Sequence, residues 1–115
     1  MILKEYLGAY AANKPDFIHA NIEFIGTCGA CPEQYDATLV DPETNKRYQV
    51  GYVRLRHGNL YCAFPDVGGK NIYEYKFWDY AGWLGIFPTQ ASRKEHLEAI
   101  AYAINQELWE SNAVT

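Results

Sequence analysis

No stretch of this chain approaches the ~20 consecutive apolar residues needed to span a bilayer as a helix, so a membrane partner is not expected. The opening residues, MILKEYLGAYAANKP, carry Lys4 and Glu5 within their apolar part, so they read as a short helix and not as a signal peptide. Cysteine is scarce and odd in number, at three. That is no disulfide framework, and without an export signal reduced thiols in a cytoplasm are expected. Positive charge is in deficit: the formal net charge is −4. This argues against extended nucleic acid, whose nonspecific binding rests on excess Lys and Arg neutralising phosphates, although a small local basic site stays open. Catalytic signatures are missing too. There is no G-x-S-x-G, no Walker loop and no H-E-x-x-H, and Gly68-Gly69-Lys70 lacks the rest of a phosphate loop. His19, His57 and His96 have no nucleophile beside them in sequence. The expectation is a protein that is not an enzyme and uses no cofactor.

Aromatic residues, by contrast, are plentiful, with ten tyrosines and three tryptophans in 115 residues. Such rings suit half-buried sheet surfaces, and they also suit binding faces. The length fits one domain over residues 1–115, and at this size about two-thirds of the unfolded surface can be buried without a disulfide staple.

Hydrophobic periodicity gives the order of elements. Ile2, Leu3, Tyr6, Leu7 and Tyr10 have near-helical spacing, and Asn13-Lys14-Pro15 ends that short helix over Met1 to Ala12. FIHANIEFI alternates as a strand buried on one side, and Tyr35, Ala37 and Leu39 resume the alternation as a second. RYQVGYVRLRH and LYCAF form a hairpin joined at His57-Gly58-Asn59, with Gly58-Asn59 expected as the two turn residues. Gly51 marks a bulge or bend. IYEYKFW is a fifth strand with Tyr73, Tyr75 and Phe77 on one face, and Asp79 to Pro88 reads as an aromatic-glycine loop. Leu97, Ile100, Ala101, Ile104 and Leu108 then fall at i, i+3, i+4, i+7 and i+11, one helical stripe. Its start is capped either by a Ser92–Glu95 box or by Thr89. The fold class is α+β: an antiparallel sheet of four to five strands, with a short N-terminal helix and a long C-terminal helix packed on one face.

Two groups of residues carry candidate chemistry. Cys28 and Cys31, in GTCGACPEQYD, could join His57 and Cys62 in a four-ligand zinc site. Against zinc, Cys62 alternates with Leu60 and Phe64 on the core face. Against a redox pair, no helix follows Cys31 to depress a thiol pKa. A structural turn is the third reading. The other group is YVRLRHGNLY: Tyr52, Arg54, Arg56 and Tyr61 share one sheet face, with Val53, Leu55, Leu60, Cys62 and Phe64 on the other. With Gly58-Asn59 as the turn, Arg56 faces Tyr61 and Arg54 faces Ala63. Planar guanidinium forks beside aromatic rings fit a phosphate with a stacked base. The alternative is that both arginines are solvated or paired with Glu23, Asp36 or Glu74.

The succession IGTCGACPEQYD, YVRLRHG, aromatic-glycine loop and C-terminal helix resembles small proteins of bacterial viruses, in particular the Thoeris anti-defence signal-sponge family. The resemblance spans roughly Ile22 to Ile104, mostly as an order of elements. It implies an α+β protein in the host cytoplasm that sequesters a cyclic ADP-ribose-type or cyclic-nucleotide signal. It also implies at least a homodimer, with the ligand between the sheet of one subunit and the last helix of the next. Arg54 and Arg56 would then bind phosphate, and Phe77 or Trp83 would stack on the base. Basic residues from the last helix are expected in such a pocket, and Arg93, Lys94 and His96 near its start are the ones that could serve. Tyr102 and Trp109, off the helical stripe, and the apolar loop from Tyr80 to Phe87 also point to a homodimer or larger. Two other readings compete: a protein-binding inhibitor of a host defence enzyme, using acidic residues such as Glu33, Asp36, Glu43 and Asp66, and a small zinc-supported structural module.

Overall fold

The computed structural model describes residues 22–27, 32–41 and 44–113. They form an α+β fold: five strands, β1 (Ile22–Gly26), β2 (Gln34–Val40), β3 (Arg47–Arg56), β4 (Asn59–Phe64) and β5 (Lys70–Lys76), followed by two helices, α1 (Tyr80–Leu84) and α2 (Gln90–Ala113). Strand order in the sheet follows chain order, and every pairing is antiparallel. Short connections enforce this, since only a long crossover could return a neighbour in parallel. The helix expected over Met1 to Ala12, and the Cys28 and Cys31 pair, lie outside the described residues.

One sheet face is apolar because the strands alternate. Ala37, Leu39, Val53, Leu55, Leu60 and Cys62 are fully or almost fully buried on it. The helical stripe closes the core: Ile100 and Ile104 are completely buried, with Ala101 and Leu108 nearly so. Gly51 admits that helix. A Cβ there would sit 3.0 Å from Ile104 Cδ1 and 3.2 Å from Cys62 Sγ. The β2–β3 register shifts at this point, with Ala37 opposite Gly51 and Thr38 opposite Gln49. Val50 is therefore the extra residue of a bulge, and both Val50 and Gly51 are buried.

The structure revises two local expectations and decides a third between its two alternatives. The β3–β4 turn is His57-Gly58, one residue earlier than expected. Both have positive φ, 53° and 82°, as this type of two-residue hairpin turn requires. Arg54 consequently pairs with Tyr61, and Arg56 with Asn59. The side-chain faces are unchanged, because the register moved by an even step. Second, the aromatic-glycine segment contains α1. Asp79 caps it through a hydrogen bond from the Gly82 N–H (3.3 Å), and Gly85 ends it in the left-handed region at φ 86°. Third, Thr89 and not Ser92 caps α2: its Oγ1 accepts from the Ser92 N–H at 3.0 Å and its carbonyl from the Arg93 N–H at 3.1 Å. No described helix is long and apolar enough to cross a membrane.

Candidate anion-binding groove

The second sheet face, opposite α2, holds a groove of about 710 Å³ near the β3–β4 turn. Arg54 and Arg56 of β3 line it with His57 of the turn, Asn59 and Tyr61 of β4, and Asn71, Glu74 and Lys76 of β5. Strand register explains this grouping. Arg54 faces Tyr61, which faces Glu74; Arg56 faces Asn59, which faces Lys76. Two cross-strand rows thus project the same way, and the groove lies over them.

Three cationic side chains meet one carboxylate there, a local excess of two positive charges on a chain of net charge −4. Arg54 and Arg56 are two residues apart on one strand. Unit charges about 7 Å apart repel by about 0.6 kcal/mol at the dielectric of water and about 2 kcal/mol at a typical protein-surface value. No ion pair among the described residues relieves this. Glu23 pairs with Arg47, Asp36 accepts from Gln49 Nε2 at 3.2 Å, and Glu74 accepts from Asn71. The Nε of Arg54 is buried without a hydrogen-bond partner. Tyr52 packs edge-on against Tyr61, centroids 6.3 Å apart. Burial raises the Tyr52 hydroxyl pKa above its ordinary value, while the Arg54 charge beside it pulls the other way.

The groove ends against an aromatic rim. The Lys76 ammonium donates to the His57 carbonyl at 3.4 Å and stands 5.3 Å from the Trp78 ring centroid. The His57 ring lies 5.0 Å from that of Trp83. Backbone bonds fix the rim: Phe77 N–H donates to Gly58 O at 2.7 Å, and Gly58 N–H to Gly82 O at 2.9 Å. Trp78 is 88% exposed, Tyr80 75% and Trp83 58%.

Other candidates go elsewhere. Phe77 is in the core, against Phe87 and His96 at 5.8 and 5.1 Å between centroids. Arg93 points away from the groove into a bidentate pair with Glu33. Lys94 is exposed on α2 and does not line the groove. Trp83 reaches the groove only through His57. Cys62 is fully buried, and burial pushes its thiol pKa up to about 12. His57 is exposed in the turn, so these two proposed metal ligands do not converge, and no described group of three or more His, Cys, Asp or Glu could hold a metal ion.

Sequence reasoning missed Lys76 and Asn71; it placed Asn59 only in the turn and considered Glu74 only as an ion-pair partner of the arginines. A signal existed for Glu74 and Lys76: alternation in IYEYKFW sets them opposite Tyr73, Tyr75 and Phe77. Their partners on β4 depend on the Pro65–Gly69 connection, whose length fixes no single register. No protein-family model matches the chain, and no curated protein or solved structure matches it.

Proposed function

We propose that this chain is a non-catalytic binder that sequesters a small nucleotide-derived signal, of the cyclic ADP-ribose or cyclic-nucleotide type, in the groove on its open sheet face. The carrying observation is the Arg54–Arg56 pair. Two adjacent guanidinium groups, unpaired with any described carboxylate, line a groove on an otherwise acidic protein. A phosphate between them removes their mutual repulsion and gains charge-assisted hydrogen bonds. Lys76 adds a third cation, and Tyr61 and the rim tryptophans offer ring faces for a base. Among the described residues lining the groove there is no serine, threonine or cysteine, in keeping with a ligand that is held and not consumed. The resemblance to phage-encoded signal-sponge proteins supports the same reading, with the host cytoplasm as the place of action. In this reading a second subunit covers the open side of the groove, giving a homodimer or larger.

Calorimetry with cyclic ADP-ribose isomers and cyclic nucleotides tests the proposal. Wild type binds at least one of them, and each Arg→Ala change at positions 54 and 56 weakens binding by about tenfold or more. Failure of every ligand to bind, or equal binding by the double variant, overturns it. Native mass spectrometry of protein from signal-producing cells reports bound ligand and subunit number together.

A second reading, a protein-binding inhibitor of a host defence enzyme, is favoured by one observation: the exposed ring cluster of Trp78, Tyr80 and Trp83. The acidic surface that such an inhibitor would use is weakened, because Glu33 is buried against Arg93.

A further inference from the structure

Glu74 is an anomaly in a groove built for anions. It is the one carboxylate among the residues lining it, and it repels a phosphate that the three cations attract. It is not there to neutralise an arginine, since no described ion pair includes it. Instead Asn71 Nδ2 donates to its Oε1, which orients the carboxylate. The strand register gives it a defined place. Arg54, Tyr61 and Glu74 stand in one row across β3, β4 and β5. The ends of that row are two strand spacings apart, about 9.6 Å. The row is polarised, with a guanidinium at one end, a phenol ring in the middle and a carboxylate at the other.

A carboxylate can only accept hydrogen bonds, so whatever meets Glu74 must donate. A single nucleotide laid across the row fits: phosphate at Arg54 and Arg56, its ring system over Tyr61, and N–H or O–H donors at Glu74. Resting on the groove reading above, we propose that Glu74 is the specificity-determining residue. It admits phosphorylated ligands that carry hydrogen-bond donors one nucleotide length from the phosphate, and it discriminates against bare polyanions. The donors can come from a base edge or from a ribose diol, and both present the same chemistry to the carboxylate.

The test is calorimetry of wild type, Glu74→Gln and Arg54→Ala/Arg56→Ala with four probes: guanosine 5′-monophosphate, inosine 5′-monophosphate, ribose 5-phosphate and inorganic pyrophosphate. Wild type should prefer the guanosine nucleotide to pyrophosphate. Glu74→Gln should weaken the nucleotide about tenfold and tighten pyrophosphate, because the repulsion is gone. A merely structural role cannot move two ligands in opposite directions. Loss of affinity for inosine 5′-monophosphate in wild type assigns the donors to the base edge, and tight binding of ribose 5-phosphate assigns them to the sugar. If Glu74→Gln shifts both ligands equally, or neither, the assignment is overturned. Should pyrophosphate still bind wild type and fail to bind the double arginine variant, the groove itself stands and only the role of Glu74 falls. If wild type binds none of these probes but does bind a cyclic ADP-ribose isomer or a cyclic nucleotide, the groove reading stands and this assignment falls.

Discussion

Glu33 and Arg93, sixty residues apart, form a bidentate pair: Nε to Oε1 at 2.7 Å and Nη2 to Oε2 at 3.0 Å. The same carboxylate accepts from the Phe87 N–H at 2.8 Å and from the Tyr35 hydroxyl. Four donors converge on one buried side chain and tie the start of β2 to the first turns of α2. Burial alone would raise the Glu33 carboxyl, but the bonds from Arg93, Tyr35 and Phe87 outweigh it and hold the pKa below its ordinary 4.5. Burial and the bond to Glu33 push the Tyr35 hydroxyl up to about 12.

This pair predicts an acid-sensitive clamp. With the folded pKa depressed, the unfolded chain binds the proton more readily as pH falls through 4.5, so the stabilisation is present above that value and is lost below it. Glu33→Gln is expected to lower stability at pH 7 by about 2 kcal/mol, less than for a fully buried pair because a third of Arg93 remains in water. Urea titrations at pH 7 and pH 3.5 check it. The variant should lose less stability on acidification than wild type, and equal losses would count against the clamp.

His96 predicts a second, separate pH window. Its Nδ1 lies 2.8 Å from the Tyr73 hydroxyl, and its ring sits among those of Tyr73, Tyr75, Phe77 and Phe87. Burial lowers its pKa below 6.5, with the nearby Glu95 charge acting in the opposite sense. Just below pH 6.5 the unfolded chain therefore takes up a proton that the folded chain refuses, and stability falls as pH drops. Thermal melts between pH 7.5 and 5 should show this fall in wild type and a flatter profile in His96→Gln. Parallel profiles would refute the assignment.

Phe77 and the groove arginines should behave in opposite ways. Phe77→Ala empties a core site and is expected to cost about 3 kcal/mol of stability. Arg54→Ala/Arg56→Ala removes side chains from the open face and should change stability by less than about 1 kcal/mol. Denaturant midpoints separate the two. A large loss of stability in the arginine variant would mean that these side chains are structural.

Cys62 should be chemically silent in the native protein. Its pKa of about 12 leaves almost no thiolate at pH 8, and the side chain is inaccessible. Iodoacetamide labelling followed by peptide mass mapping should find Cys62 unmodified in buffer and fully modified in guanidinium. Labelling in buffer at the rate of a free thiol would contradict its burial.

Much of the architecture was legible because it depends on local periodicity. Alternation around Val53, Leu55, Leu60 and Cys62 assigned the core face of the hairpin, and the stripe from Leu97 to Leu108 assigned the helix that covers it. Even a misplaced turn left those faces intact, because the register moved by an even step. Asp79 and Gly85 did mark α1 in sequence, but an aromatic-glycine composition reads as a loop unless the two caps are read as a pair.

The chain's own sequence therefore determined which residues are apolar, with what period, and hence that Arg54 and Arg56 point away from the core. It did not determine who meets them. Lys76, Asn59 and Glu74 reach the groove through strand pairing, and Arg93 is taken up by a carboxylate sixty residues away. Periodicity is a property of neighbouring residues and survives small errors of register. Charge pairing depends on where distant segments come to rest, and only the packed sheet and helix fix that.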